Sequence, residues 1–246
     1  MIAVDFHSRT LFSGCGVHTH VEMLTHARNL GMQGLAITDH GPEVGRRFST
    51  TFFDRLHQPV PGIKLLKGIE ANLRGLDGEI DVPAHVYPYL DVVLLGFHGN
   101  TPTGLGTQVY THALVRAMER NPCIDLLTHL HPSSSHPVDL ETVVRAAAAQ
   151  GVAVELNHSK LLLGKADPEE VRTLVRTCKA VDCRMAICSD AQVLNELGRD
   201  DHALTLFAQE AFPPALWVNE TAEKAFAFVD ARRSRKRSEN GHERKP

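Results

Sequence analysis

Cysteine is scarce in this chain, and what there is does not pair by spacing. Cys15, Cys123, Cys178, Cys183 and Cys188 are odd in number among 246 residues. None forms a C-x-x-C motif, which argues against a disulfide framework and points to a reducing cytoplasm. Long apolar runs are missing too. No stretch of about 18 apolar residues could cross a bilayer, and Met1 is not followed by a charged-then-apolar leader, so neither a membrane span nor a secretory signal is expected. Aromatic residues make up 6% of the chain, and Trp217, Phe226 and Phe228 read as packing residues rather than stacking platforms. Gly14-Cys15-Gly16 and Gly104-Leu105-Gly106 lack the spacing of a phosphate cradle, and there is no Walker-type or G-x-S-x-G pattern.

Positive charge is also missing from most of the chain. The formal net charge is -3, yet Arg232 to Pro246 holds seven Lys/Arg against Glu239 and Glu243. The rest is therefore about eight charges negative, which excludes a nucleic-acid surface on the body. Residues 232–246 offer no apolar side chains to offset the entropy of ordering and read as a disordered basic tail. A nucleic-acid contact, if any, would be confined to that tail.

Present in quantity are apolar residues, 43% of the chain, enough for one sizeable core and a single domain over 1–231. Short apolar strands alternate with helical patterns, the mark of βα units around a parallel sheet. The strands are expected at 2–6, 34–38, 64–71, 91–97, 124–128, 152–156 and 184–188. Helices are expected near 21–30, 107–120, 140–150, 168–179, 202–211 and 222–231, with Asp167 capping Pro168.

Ionisable residues sit at the carboxyl ends of these strands. His7 follows the first, Asp39-His40 the second and His98 the fourth; Glu70 closes the third, His129 follows the fifth, and Asp190 the seventh. In a parallel barrel those ends converge on one face, where the βα loops build the active site. Imidazoles and carboxylates are ligands for zinc, manganese or iron, so the convergence reads as a metal centre. His158, just past the sixth strand, is a candidate for substrate contact.

The segments VDFHSRT, AITDHGPE, LLKGIEANL, GEID, LLGFHGN, LLTHLHP, VAVELNHS and AICSDA occur in this order across residues 1–229. As a set they resemble the motifs of the PHP (polymerase and histidinol phosphatase) family, most closely its trinuclear-zinc phosphatases. The resemblance implies a distorted (βα)7 TIM-like barrel that hydrolyses a small phosphorylated substrate. It implies one to three divalent ions, zinc first, with manganese or iron as alternatives. His7, His40, Glu70, His98, His129 and Asp190 stand where the family has metal ligands, Glu70 as the bridging carboxylate. In LLTHLHP, His129 directly follows the apolar run and is preferred to His131.

Three ligand positions depart from the family. Arg9 replaces the second histidine of the opening pair, Cys15 a loop histidine, and Gln192 the last histidine. One family site would then rest on Cys15, His40 and Gln192, and is crippled unless the Cys15 thiolate or nearby His18 or His20 compensates; the alternative is that Cys15 is an inert loop residue. A second, Glu70 with His98 and His129, is intact. The third keeps His7, Glu70 and Asp190 but faces Arg9. A guanidinium about 5 Å from a divalent ion opposes it by roughly 6 to 7 kcal/mol at an effective dielectric near 20. Arg9 is therefore expected either to pair with Asp190 or Glu70 and grip a phosphate oxygen, or to lock the carboxylates in a closed salt bridge. Arg9, His40 and Asp190 are the expected catalytic residues of a phosphoesterase with a reduced metal set. The competing expectation is a catalytically silent barrel that binds a metabolite or a protein.

Overall fold

The computed structural model describes residues 1–45, 48, 50–131 and 135–239, and among these the side chains of all but 84 and 234–239. Seven strands, β1 (Val4–Asp5), β2 (Gly34–Ile37), β3 (Lys64–Asn72), β4 (Val92–Gly96), β5 (Leu126–Leu127), β6 (Ala153–Asn157) and β7 (Met185–Cys188), run parallel in chain order. All lie where the apolar runs place them. They read as continuous apolar stretches because both faces of the sheet are covered.

The sheet curls into a barrel whose seam lies between β7 and β1. Beyond the strand ends, Ser8 pairs with Ala191, and Arg9 N donates to Ala191 O at 2.8 Å. Lower down, Asn219 bridges the gap by donating through Nδ2 to Val4 O at 2.9 Å and to Ile187 O at 2.6 Å, while its Oδ1 accepts from Ile187 N. One side chain thus satisfies backbone groups that an eighth strand would otherwise pair.

Along each strand the inward residues change character in steps of two, the period at which side chains return to one face. Ala36 gives way to Thr38 and His40, Leu66 to Gly68 and Glu70, and Ala186 to Cys188 and Asp190. The apolar members form an inner core with Val4, Phe6, Leu94, Leu126 and Ala153. A larger outer core packs the strands against the surrounding helices. These include α1 (His20–Asn29), α2 (Thr50–Asp54), α3 (Thr107–Arg120), α4 (Leu140–Gln150), α5 (His158–Leu162), α6 (Pro168–Ala180) and α7 (Asp201–Gln209). Asp167 caps α6 by accepting from Glu169 N, with Pro168 in its first turn.

The last helix, α8 (Ala222–Glu239), closes the amino end of the barrel. Ala225, Phe228 and Val229 join the inner core, and the Phe228 ring lies 6.0 Å from that of Phe6. The basic segment from residue 232, read above as a disordered tail, begins inside α8, which runs to Glu239. Arg232 is buried and ion-paired with Asp125 at 2.9 Å, and the residues after it are good helix formers. Residues 240–246 of the anticipated tail lie outside the described residues.

Candidate metal centre

Glu70 is fully buried at the carboxyl end of β3, and four imidazoles from four other strand ends surround it. Its Oε1 lies 3.0 Å from His129 Nε2, 3.2 Å from His98 Nε2 and 3.5 Å from His7 Nε2, and accepts from Thr128 Oγ1 at 3.1 Å. Oε2 lies 3.0 Å from His40 Nδ1 and pairs with Arg9 Nη2. Gly96 makes room for this crowding, since a Cβ there would stand 2.5 Å from the His129 ring. His129 and Asp190 both have positive φ, 37° and 51°. For residues with a Cβ the left-handed region costs roughly 1–2 kcal/mol, and such strain concentrates at functional sites.

Several of these close approaches are not hydrogen bonds. His7 Nε2, His40 Nδ1, His98 Nε2 and Glu70 Oε2 are buried with no hydrogen-bond partner, although each lies near an opposite group. One ligand atom from each of His40, Glu70 and His98 lies within 4.8 Å of the others. Buried nitrogens and oxygens that converge without bonding one another fit a divalent cation as their common partner. His40, grouped by sequence with Cys15 and Gln192, lines one cavity with both and also lies, like His98, against Glu70.

Arg9 lies between the two carboxylates it was expected to meet. It is 3% exposed, donates through Nε to Asp190 Oδ1 at 3.1 Å, and pairs with Glu70 through Nη2; Nη1 makes no hydrogen bond. Asp190 Oδ1 lies 3.3 Å from His7 Nε2 as well as accepting from Arg9, while Oδ2 accepts from Asn157 Nδ2 at 3.1 Å and lies 3.7 Å from Lys160 Nζ. Cys15 is exposed beside His40, with which it shares a hydrogen bond, whereas the other four cysteines are buried. His131 and Gln192 line the cavity in front of the centre, with His129 rather than His131 against Glu70.

Ionisation follows from this packing. Burial alone would keep Glu70 neutral, but Arg9, His98 and His7 hold its carboxyl well below the usual range. Burial likewise favours a protonated Asp190, and the charges of His7 and Arg9 overcome it, so its pKa is lowered. His98 is pushed down to about 4, mainly by burial, and so presents a neutral ring. His7 goes the other way, because Asp190, Glu155 and Glu70 outweigh its desolvation.

Glu155 is the residue that strand-end spacing does not reveal. It is 1% exposed within β6, accepts from the ring of His7 at Nδ1 (2.6 Å), and also accepts from His129 N at 2.7 Å. The sign of it in the sequence is a lone charge inside the apolar run VAVEL. Lys160 and Lys165 also reach the cavity unannounced. His158 turns away from that cavity; its ring stacks on His202 at 5.6 Å. The cavity itself measures about 530 Å³, within the range of small-molecule sites.

The chain belongs to the PHP-domain family, which matches residues 5–210. It is 30% identical over 240 residues to a probable phosphatase of Caldanaerobacter subterraneus subsp. tengcongensis, covering 95% of this chain and 93% of that protein. A probable phosphatase of Acetivibrio thermocellus is 31% identical over 235 residues, covering 94% and 97%. Among solved structures, histidinol phosphate phosphatase from Lactococcus lactis, complexed with zinc, L-histidinol and phosphate, superposes with a TM-score of 0.60 at 17% identity, over 86% of this chain and 94% of that one. A chain of archaeal ribonuclease P with mature tRNA superposes at 0.57 with 16% identity, over 95% and 93%. The distorted parallel barrel expected from the motifs is thus the fold observed.

Proposed function

We propose that this protein is a metal-dependent phosphoric ester hydrolase with a reduced metal set. The observation that carries the reading is the buried carboxylate of Glu70, on which nitrogens of His7, His40 and His98 converge without making a hydrogen bond. Relatives named probable phosphatases support it.

His40, Glu70 and His98 would hold a divalent cation, zinc first and manganese or iron as alternatives, with His7 and His129 against the same carboxylate. Such an ion supplies Lewis-acid charge to a phosphoryl oxygen and lowers the pKa of water at the site. Glu70, Glu155 and Asp190 bring three carboxylates to the floor of the site, where Arg9 pairs with two of them and His7 lies against all three. Asp190, which accepts from Arg9 and Asn157, positions Arg9 and is a further ligand candidate. Arg9 lines the cavity with Nη1 unpaired, a donor suited to a phosphate oxygen. His40 also lines the cavity, and protonation of the leaving oxygen would fall to it or to water at the ion. Cys15 beside His40 is a further ligand candidate. The substrate is a small phosphorylated molecule, and the compartment is the cytoplasm, in keeping with four cysteines buried as thiols.

The double ion pair of Arg9 favours a second reading, a silent barrel in which the guanidinium takes a metal's place and the cavity only binds. Metal content by mass spectrometry, with turnover of an aryl phosphate in added zinc or manganese, separates the two. Bound metal with turnover is expected; no metal and no turnover leaves the binding module.

A further inference from the structure

The cavity in front of the centre carries more positive charge than one phosphoryl group uses. Arg9, Lys160 and Lys165 line it, and Asp190 is the one carboxylate among its described lining residues. Residues 1–231 are together about eight charges negative, so three cations around one cavity do not reflect a general surplus. Arg9 and Lys160 are committed to the floor by their contacts with Asp190. Lys165 is exposed and has no ion-pair partner among the described residues.

The backbone nonetheless holds Lys165 close to Lys160 at the edge of the cavity. After α5 the chain turns tightly at Gly164, where φ is 62°. Lys165 N then donates to Lys160 O at 2.8 Å, and Ala166 N to the same carbonyl at 3.2 Å. Both lysines therefore leave a single turn toward one cavity. His131 stands on that wall too, with a buried Nδ1 that has no partner.

We propose that the substrate is a phosphomonoester whose leaving group carries a second acidic function, and that Lys165 and His131 receive it while Arg9 takes the phosphoryl end. This rests on the phosphoester reading above. One ammonium beside one imidazole matches a single negative charge, so a carboxylate fits better than a second phosphate. The same wall repels a leaving group that bears an amine.

Phosphonates, whose C–P bond a phosphoesterase does not cleave, test the idea by calorimetry on the zinc- or manganese-loaded full chain. Phosphonoacetate should bind about tenfold tighter than methylphosphonate, and 2-aminoethylphosphonate more weakly than either. In Lys165→Met the ratio of phosphonoacetate to methylphosphonate affinity should fall to near one, and Lys165→Glu should favour the amine. Equal binding of the three by the native protein, or a preference that survives in Lys165→Met, overturns the proposal. Failure of all three to bind removes the phosphoester reading along with it. A Lys165-dependent preference in a protein that turns over no aryl phosphate upholds the acidic-ligand site and sinks the catalytic reading alone.

Discussion

Among the described residues two arginines are buried, one at each end of the barrel, and the chain treats them differently. At the amino end Arg232 donates through Nε to Asp125, through Nη1 to Gln150 O and Gly151 O, and through Nη2 to Pro122 O and Ile124 O. Every nitrogen of the guanidinium is used. At the carboxyl end Arg9 leaves Nη1 without a partner, in the company of unbonded atoms on His7, His40, His98 and Glu70. A satisfied buried charge secures a fold; an unsatisfied cluster costs stability unless something binds it. The contrast separates a clasp from a site.

The sharpest way to break this comparison is Arg232→Ala. It strands Asp125, 1% exposed, and should cost about 3 to 5 kcal/mol in urea denaturation; a loss below about 1 kcal/mol would show that the clasp is ornamental. Next comes Glu70→Gln at the other end. Bound metal should fall sharply and aryl-phosphate kcat/KM should drop about 1000-fold, roughly 4 kcal/mol of barrier, with the urea midpoint little changed. Metal retained at the native level would contradict the assignment of Glu70. A smaller effect belongs to Glu155→Gln, which weakens the hold on the His7 ring and the His129 backbone. Competition with a chelator should register about 10- to 100-fold lower metal affinity, and an unchanged affinity would confine Glu155 to packing. The mildest expected change is Arg9→Lys, because an ammonium cannot reproduce the fork between Glu70 and Asp190. The aryl-phosphate KM should rise about tenfold, while stability moves far less than in Arg232→Ala.

Much of the architecture was readable from residue order. The helices at Thr107–Arg120 and Leu140–Gln150 have the expected bounds, because long amphipathic periods are hard to satisfy in any other way. Strand positions were equally plain, since a fully covered parallel sheet leaves unbroken apolar runs. The extension of α8 was not, because the ion pair that buries Arg232 joins residues 107 apart in the chain. The same limit explains the site. His7, His40, Glu70, His98, His129 and Asp190 stood out as polar residues at strand ends, and Arg9 by its place two residues beyond His7. Glu155 sits inside its strand, and Lys160 and Lys165 lie on and just after a five-residue helix too short to leave a periodic signal.

Linear order was enough to decide which residue types each strand carries to the rim, because a two-residue side-chain period and apolar runs are properties of neighbouring positions. Folding alone decided that Glu70 would draw His40 and His98 together, that Arg9 would keep one nitrogen in reserve, and that two lysines would share a wall with it. Ionisation and coordination depend on through-space distances of a few ångströms, and those are created only when segments remote in the chain are packed side by side.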